Sequence, residues 1–156
     1  MVKENAIFGM GCFWHSEAAF SKVEGVLKTE VGYMGGDEIY DNVSYEMVCS
    51  GKTGHAEVIK VEFDPSRISY SGLLDIFWEN HDPTTLDRQG VDVGKQYRSV
   101  IFYFSKRQRK IAKESLNRWQ KKFKKKKIVT EVVEAGKFYR AEEYHQKYHE
   151  KHGGIC

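Results

Sequence analysis

Apolar residues alternate with polar ones, or run together, in five stretches that predict β-strands. A short apolar stretch covers residues 6–9, and alternation marks residues 26–31 and 57–63. Residues 98–104 contain an unbroken apolar run, which is typical of a central strand, and residues 128–133 form the last stretch. The chain is therefore expected to form a β-sheet.

Helical spacing of apolar residues separates these strands. Helices are predicted over residues 15–23, over about 70–78, after Ser105, and over about 141–151. Pro83 forbids continuation of the second helix, and Ser105 with Gln108 makes a capping box for the third. The resulting order is β-α-β-β-α-β followed by α-β-α, and its first part matches the split βαβ, or ferredoxin-like, arrangement.

Length and composition restrict the classes of protein that fit. With 156 residues, 40% hydrophobic and 30% charged, the sequence predicts a single globular domain over residues 1–156, ending in a short tail at about 152–156. The N-terminus lacks the apolar segment of an export signal, and nowhere do 18 apolar residues run together. We therefore expect a cytoplasmic protein with no membrane association. A net charge of +3 is too small to favour nucleic acid as a partner.

The cysteines suggest where the chemistry lies. Three of them, an odd number, favour thiol chemistry in a reducing compartment over a disulfide framework. Cys12 stands at a predicted strand-to-helix turn, where backbone N–H groups and the helix dipole favour a thiolate. A packed core cysteine is the alternative, but the neighbouring Gly11 would waste core volume. Cys12 is therefore the candidate nucleophile.

Glu57 is the candidate acid. It shares strand parity with Ile59 and Val61, which places it at the edge of an apolar face. Desolvation raises the pKa of a carboxyl and keeps it protonated near neutral pH, the state that a general acid needs. The alternative is a glutamate at the strand end that is turned into solvent.

Several short segments, in the same order along nearly the whole chain, resemble the methionine sulfoxide reductase A family. They are Gly-Cys-Phe-Trp at 11–14 with Glu17, residues 42–45, Thr-Gly-His-Ala-Glu at 53–57, Trp-Glu-Asn-His-Asp-Pro-Thr-Thr at 78–85, Asp-Val-Gly-Lys-Gln-Tyr-Arg-Ser at 92–99, and Ala-Glu-Glu-Tyr-His-Gln at 141–146. The resemblance implies an α/β two-layer sandwich around the ferredoxin-like core, with a C-terminal strand and helix. It also implies reduction of methionine S-sulfoxide, free or in proteins, without a metal or organic cofactor.

The resemblance assigns the reacting groups. Cys12 would attack the sulfoxide sulfur and become a sulfenic acid, while Glu57 would protonate the departing oxygen. Tyr45 and Tyr97, from the two long loops at 34–54 and 82–96, would hydrogen-bond that oxygen. We expect these loops to meet at one end of the sheet, beside Cys12.

The resemblance also assigns the pocket and the second thiol. Phe13 and Trp14 would enclose the methyl group, and Asp92 would accept hydrogen bonds from the substrate main chain. Cys156 would condense with the sulfenic acid, and thioredoxin or a similar dithiol would reduce the disulfide. The family's Asn-Pro and Gly-Tyr are missing before Cys156, so Cys49 stays open as an alternative resolving thiol, although we expect it to have a packing role. The protein is expected to be a monomer.

Two other functions compete with this one. Cys12 paired with His55 would suit another thiol enzyme, a peroxidase or a Cys-His acyl transferase. The lysine run at 121–127 would suit a nucleic-acid-binding module. No aromatic platform accompanies that run, and we expect it to close a helix, where the dipole favours cations.

A metal site is a further alternative. His145, His149 and His152 lie at helical spacing, and Glu142 precedes the first of them by three residues. A zinc site normally takes four ligands from two segments. We therefore interpret these histidines as a surface face and expect no metal.

Overall fold

The computed structural model describes residues 2–152. The strands are β1 (Glu4–Met10), β2 (Val26–Met34), β3 (Ala56–Phe63), β4 (Arg88–Gln89), β5 (Asp92–Val93), β6 (Ser99–Tyr103), β7 (Glu131–Glu134) and β8 (Tyr139–Arg140). The α-helices are α1 (Phe13–Ser21), α2 (Tyr45–Cys49), α3 (Tyr70–Glu79), α4 (Lys106–Gln120) and α5 (Tyr148–His152), and Lys95–Tyr97 and Glu143–His145 form 3₁₀ turns. No helix within these residues is long and apolar enough to cross a membrane.

Six strands form one sheet in the order β7-β6-β1-β3-β2-β8. The four central strands, β6, β1, β3 and β2, are antiparallel, while β7 pairs parallel to β6 and β8 pairs antiparallel to β2. Helix α1 connects β1 to β2, and α3 connects β3 to β6. This is the βαββαβ order of the ferredoxin-like fold, and the predicted fold class is confirmed.

The three longest helices pack against one face of the sheet. Phe8, Val61 and Ile101 point toward α1, α3 and α4 and are fully buried. The other face of the sheet is buried as well. Val58 and Val100 on that face belong to a second cluster, which is covered by the segment at 135–138. Burial on both faces explains why residues 98–104 contain an unbroken apolar run rather than an alternating pattern.

The predicted boundaries hold best where local signals are strong. The Ser105 hydroxyl accepts the N–H of Gln108 at 3.2 Å, so Ser105 caps α4 as expected. The Gln108 side chain accepts the N–H of Phe104, one residue before the N-cap, at 2.9 Å. Helix α4 ends at Gln120, and the lysines of the 121–127 run are exposed in the turns that follow it. The long loops contain the short α2 and the β4–β5 hairpin. Neither element is long enough to show a periodic pattern of apolar residues.

The helix predicted over 141–151 is wrong. A 3₁₀ turn is followed by Lys147 in the left-handed region, with φ 54°, before α5 begins. The Gln146 side chain pairs with both the N–H and the carbonyl of Val31 at 2.9 Å. Lys147 donates its backbone N–H and its ammonium to the buried carboxylate of Glu17, at 2.6 and 2.8 Å. These tertiary bonds replace the hydrogen bonds of a continuous helix.

Candidate active site

Cys12 lies where β1 turns into α1. It is the N-cap residue of α1 and is partly buried, and its carbonyl accepts both the N–H and the hydroxyl of Ser16 at 3.2 Å. The preceding Gly11 has φ 95°, and a Cβ there would lie 2.8 Å from Cγ of Gln89. Only glycine adopts this turn without strain and lets the β4–β5 hairpin approach so closely. The second long loop therefore does lie beside Cys12.

Glu57 reaches the same turn from β3. It is buried, and its Oε1 accepts the backbone N–H of Phe13 at 3.2 Å. Phe13 is the first residue of α1 and the neighbour of Cys12, so the carboxyl sits at the helix N-terminus beside the cysteine. Ile59 and Val61 are buried on the same face of β3, and the predicted parity is confirmed.

Tyr45 and Tyr97 come together from the two long loops. Tyr45 begins α2, Tyr97 ends a 3₁₀ turn, and a hydrogen bond joins their side chains. Burial raises the pKa of Tyr45 above its usual range, and its hydrogen bond to Cys49 and the charge of Glu57 add to the shift. Burial, followed by the charge of Glu57, raises the pKa of Tyr97 to about 12. Both phenols therefore keep their protons at neutral pH and can donate hydrogen bonds.

The aromatic pair after Cys12 lies against the C-terminal segment. Phe13 is buried, with its ring centroid 5.1 Å from that of His145. Trp14 is partly buried, stacks on Tyr148 at 3.8 Å and 9°, and donates its indole N–H to Nδ1 of His145 at 3.0 Å. Both rings thus lie next to the ring of His145.

His145 is not on a surface face, contrary to the prediction. Only 1% of it is exposed, and its ring also lies 4.7 Å from that of Tyr45. Burial lowers the pKa of its imidazole. A helix over residues 141–151 would have placed His145 on an exposed face. Its position within the family segment at 141–146 was the signal that could have indicated a role in the site. Within residues 2–152, no three His, Cys, Asp or Glu side chains are grouped to hold a metal ion.

Glu142 is a second residue that sequence reasoning missed. Its carboxylate accepts the hydroxyl of Tyr33 at 3.0 Å and the backbone N–H of Tyr45 at 3.1 Å. Burial alone would raise the pKa of Glu142, but these hydrogen bonds hold it below its usual range. The ionised carboxylate fixes the start of α2, and with it the position of Tyr45.

The remaining predicted residues are Asp92, Cys49 and Cys156, and fewer of their contacts are defined. Asp92 pairs with Gln89 in the β4–β5 hairpin, and its charge contributes to the raised pKa of Tyr97. Cys49 is exposed on α2, so the packing role expected for it is wrong, and its thiol is hydrogen-bonded to Tyr45. Cys156 lies outside the described residues. The structure thus brings most of the predicted residues to one end of the sheet, while their individual roles stay predictions.

His55 does not serve Cys12. Its Nδ1 accepts the N–H of Gly36 at 2.9 Å, and its Nε2 lies 3.1 Å from the carbonyl of Asp37. Both ring nitrogens therefore hold the backbone of the first long loop, and the ring is buried. The pairing of Cys12 with His55 as a catalytic dyad is wrong.

A cysteine at a helix N-terminus, next to a buried carboxyl and two protonated phenols, defines a thiol-dependent enzyme. The chain matches the family described as peptide methionine sulfoxide reductase over residues 4–156. It belongs to that family and is an oxidoreductase, as its motifs predicted.

Individual relatives agree with this assignment. The chain is 59% identical to the peptide methionine sulfoxide reductase MsrA of Methanothermobacter thermautotrophicus, over 95% of this chain and 87% of that protein. It is 58% identical to the peptide methionine sulfoxide reductase of Solanum lycopersicum, over 97% and 76%.

Solved structures of yeast Mxr1 are similar as well. The reduced form of Mxr1 from Saccharomyces cerevisiae matches with a TM-score of 0.93 and 37% identity, over 99% of this chain and 88% of that one. Mxr1 in complex with Trx2 matches with a TM-score of 0.66 and 26% identity, over 94% and 84%.

Proposed function

We propose that Cys12 reduces methionine S-sulfoxide, free or in proteins, with Glu57 as the proton donor. The observation that carries the mechanism is the bond from the Phe13 N–H to Glu57. It joins the carboxyl to the residue next to Cys12, at the same helix N-terminus. A nucleophile and an acid held on one helix turn can act on the two atoms of one S–O bond.

In the first step the Cys12 thiolate attacks the sulfoxide sulfur while Glu57 gives its proton to the oxygen. Tyr45 and Tyr97 donate hydrogen bonds to that oxygen, since both phenols are protonated at neutral pH. The attack forms a bond between the Cys12 sulfur and the substrate sulfur. The protonated oxygen then passes from the substrate sulfur to the Cys12 sulfur as the S–O bond and the new S–S bond break, so methionine leaves and Cys12 becomes a sulfenic acid. The substrate sulfur is thereby reduced and Cys12 is oxidised.

In the second step another thiol condenses with the sulfenic acid, releasing water and forming a disulfide. We assign this thiol to Cys156, behind Gly153-Gly154, with Cys49 as the alternative. The hydrogen bond between Cys49 and Tyr45 places this thiol beside the proposed site and supports the alternative.

A dithiol protein such as thioredoxin would then reduce the disulfide. The structural likeness to Mxr1, which has been solved in complex with Trx2, supports this assignment. Phe13 and Trp14 would enclose the methyl group, and Asp92 would bind the substrate main chain. We further propose a monomer that acts in the cytoplasm without nucleic acid or membrane partners.

The test is to count methionine without added reductant. Pre-reduced protein is mixed with the S or the R epimer of methionine sulfoxide, and methionine is measured per chain. We expect about one methionine per chain from the S epimer and essentially none from the R epimer.

Two variants complete the test. Cys12→Ser should form no methionine, whereas Cys49→Ser, the matched control, should still form about one per chain, because the first turnover needs only Cys12. If no methionine forms, and the reduced protein consumes hydrogen peroxide in a separate assay, the chain would be a peroxidase instead.

A further inference from the structure

His145 lies within a cluster of aromatic rings. Its ring centroid is 4.7 Å from that of Tyr45, 5.1 Å from Phe13 and 5.5 Å from Trp14. Tyr144 covers it from outside at 4.0 Å. These neighbours include both aromatic residues of the proposed methyl pocket and one of the two phenols.

The hydrogen bond to Trp14 fixes the protonation state of His145. An indole N–H can only donate, so Nδ1 of His145 must accept, and the ring proton is carried by Nε2. An imidazolium has no acceptor and could not make this bond. Because the ring is 1% exposed, burial also disfavours the cation.

Stacking and hydrogen bonding constrain Trp14 in different ways. The Tyr148 ring, 3.8 Å away and nearly parallel, fixes the plane of the indole. A half-turn about χ2 would keep the indole in this plane and move its N–H edge to the other side, so stacking alone does not fix where the N–H points. The bond from the indole N–H to His145 removes that freedom.

The segment around His145 is itself firmly held. Glu142 binds Tyr33 and Tyr45, the Gln146 side chain pairs with the backbone of β2, and Lys147 forms an ion pair with the fully buried Glu17. His145 is therefore a fixed reference point for Trp14.

We infer that His145 is a positioning residue that sets the orientation of the Trp14 wall and so determines how tightly sulfoxide substrates bind. The inference rests on the proposed function only in assigning Trp14 to the substrate pocket. In this inference His145 acts through Trp14 and does not contact the reacting atoms.

The first test observes Trp14 directly by ¹⁵N–¹H NMR of the indole groups. Trp78 donates to Ser115 and Trp119 to Asp75, so each of the three indoles has its own partner. Trp14→Phe identifies the Trp14 signal. His145→Leu should shift this signal and speed its hydrogen exchange while leaving the other two in place.

The matched control comes from the same segment. His149 bonds Ser21 and not Trp14, so His149→Leu should leave the Trp14 signal unmoved. If His145→Leu leaves that signal unchanged, or if His149→Leu moves it equally, the inference is overturned. This measurement does not depend on activity, so it separates the inference from the proposed function.

The second test is kinetic. His145→Leu should raise KM for methionine sulfoxide about five- to tenfold, the equivalent of one hydrogen bond, with kcat within about twofold. In a Trp14→Phe background the same change should have no further effect on KM. Equal effects in both backgrounds, or a loss of kcat alone, would overturn the inference.

Conservative variants guard against a folding defect. The carbonyl oxygen of His145→Asn reaches about as far as Nδ1 and should restore most of the substrate affinity. His145→Gln extends beyond that position and should behave like His145→Leu, so this pair replaces the leucine variant if it does not fold. Equal KM values for the asparagine and glutamine variants would contradict a role for the acceptor at Nδ1.

Discussion

Acid should destabilise this fold through His81, just after α3. Its Nδ1 lies 2.6 Å from the carbonyl of Phe77, which can only accept, so Nδ1 carries the proton. Nε2 then accepts the hydroxyl of Ser99 at 2.7 Å, and that hydroxyl lies 2.7 Å from the one on Thr130. Only the neutral ring fits this chain of bonds. Burial accordingly lowers the pKa of His81 from 6.5 to about 4.

The sign and the size follow from linkage. Between pH 6.5 and pH 4 the unfolded chain binds a proton at His81 that the native protein does not bind, so the free energy of unfolding falls as the pH falls. Each pH unit in this window costs up to about 1.4 kcal/mol. Because the residue is partly exposed, we expect a loss of about 2 kcal/mol between pH 7 and pH 4.5.

Urea unfolding at both pH values measures this loss. Wild type should lose about 2 kcal/mol more than His81→Gln, because the variant has no histidine to titrate at that position. His152→Gln, which removes an exposed histidine, should behave like wild type. Parallel pH dependences for wild type and His81→Gln would refute the reasoning.

Three further changes test the site and the segment that holds it. Glu57→Gln should slow methionine formation in a single turnover by about 10²-fold or more with the urea midpoint little changed, because an amide cannot supply the proton; wild-type rates would remove the acid assignment. Cys156→Ser should release about one methionine per chain but should not turn over with thioredoxin, and full turnover would assign resolution to another thiol. Lys147→Met should lower the free energy of unfolding by about 2–3 kcal/mol, because it leaves the fully buried Glu17 carboxylate with fewer donors. Lys151→Met, the exposed control, should change it by less than about 0.5 kcal/mol, and equal losses would contradict a special role for the buried pair.

The two central residues were predictable because their signals are local. Cys12 lies between a glycine that makes the turn and the first residues of a helix, and all of these are adjacent in the chain. Glu57 owes its burial to strand parity, which can be counted along a few residues. Neither inference needed knowledge of a distant contact, and the structure agrees with both placements.

The C-terminal segment could not be predicted in this way. Residues 141–151 were predicted to form one helix, but the bonds that decide the conformation of Glu142, His145 and Lys147 reach to residues 97 to 131 positions away. Lys147 even adopts a positive φ because its backbone N–H is drawn to Glu17. A periodic pattern contains no information about such partners, so tertiary bonds override it.

The protonation of the site follows from the same burial that shapes it. Burial is the largest cause of the raised pKa of Tyr33, Tyr45 and Tyr97, and Glu57 adds to each shift when it is ionised. Phenols gathered around a carboxyl resist ionisation together, because each new negative charge would repel the others in a poorly hydrated space. The oxygen of a sulfoxide gains negative charge as the S–O bond breaks. Phenols that have kept their protons can donate hydrogen bonds to that oxygen. The desolvation that buries Glu57 against β3 therefore also prepares Tyr45 and Tyr97 for the reaction.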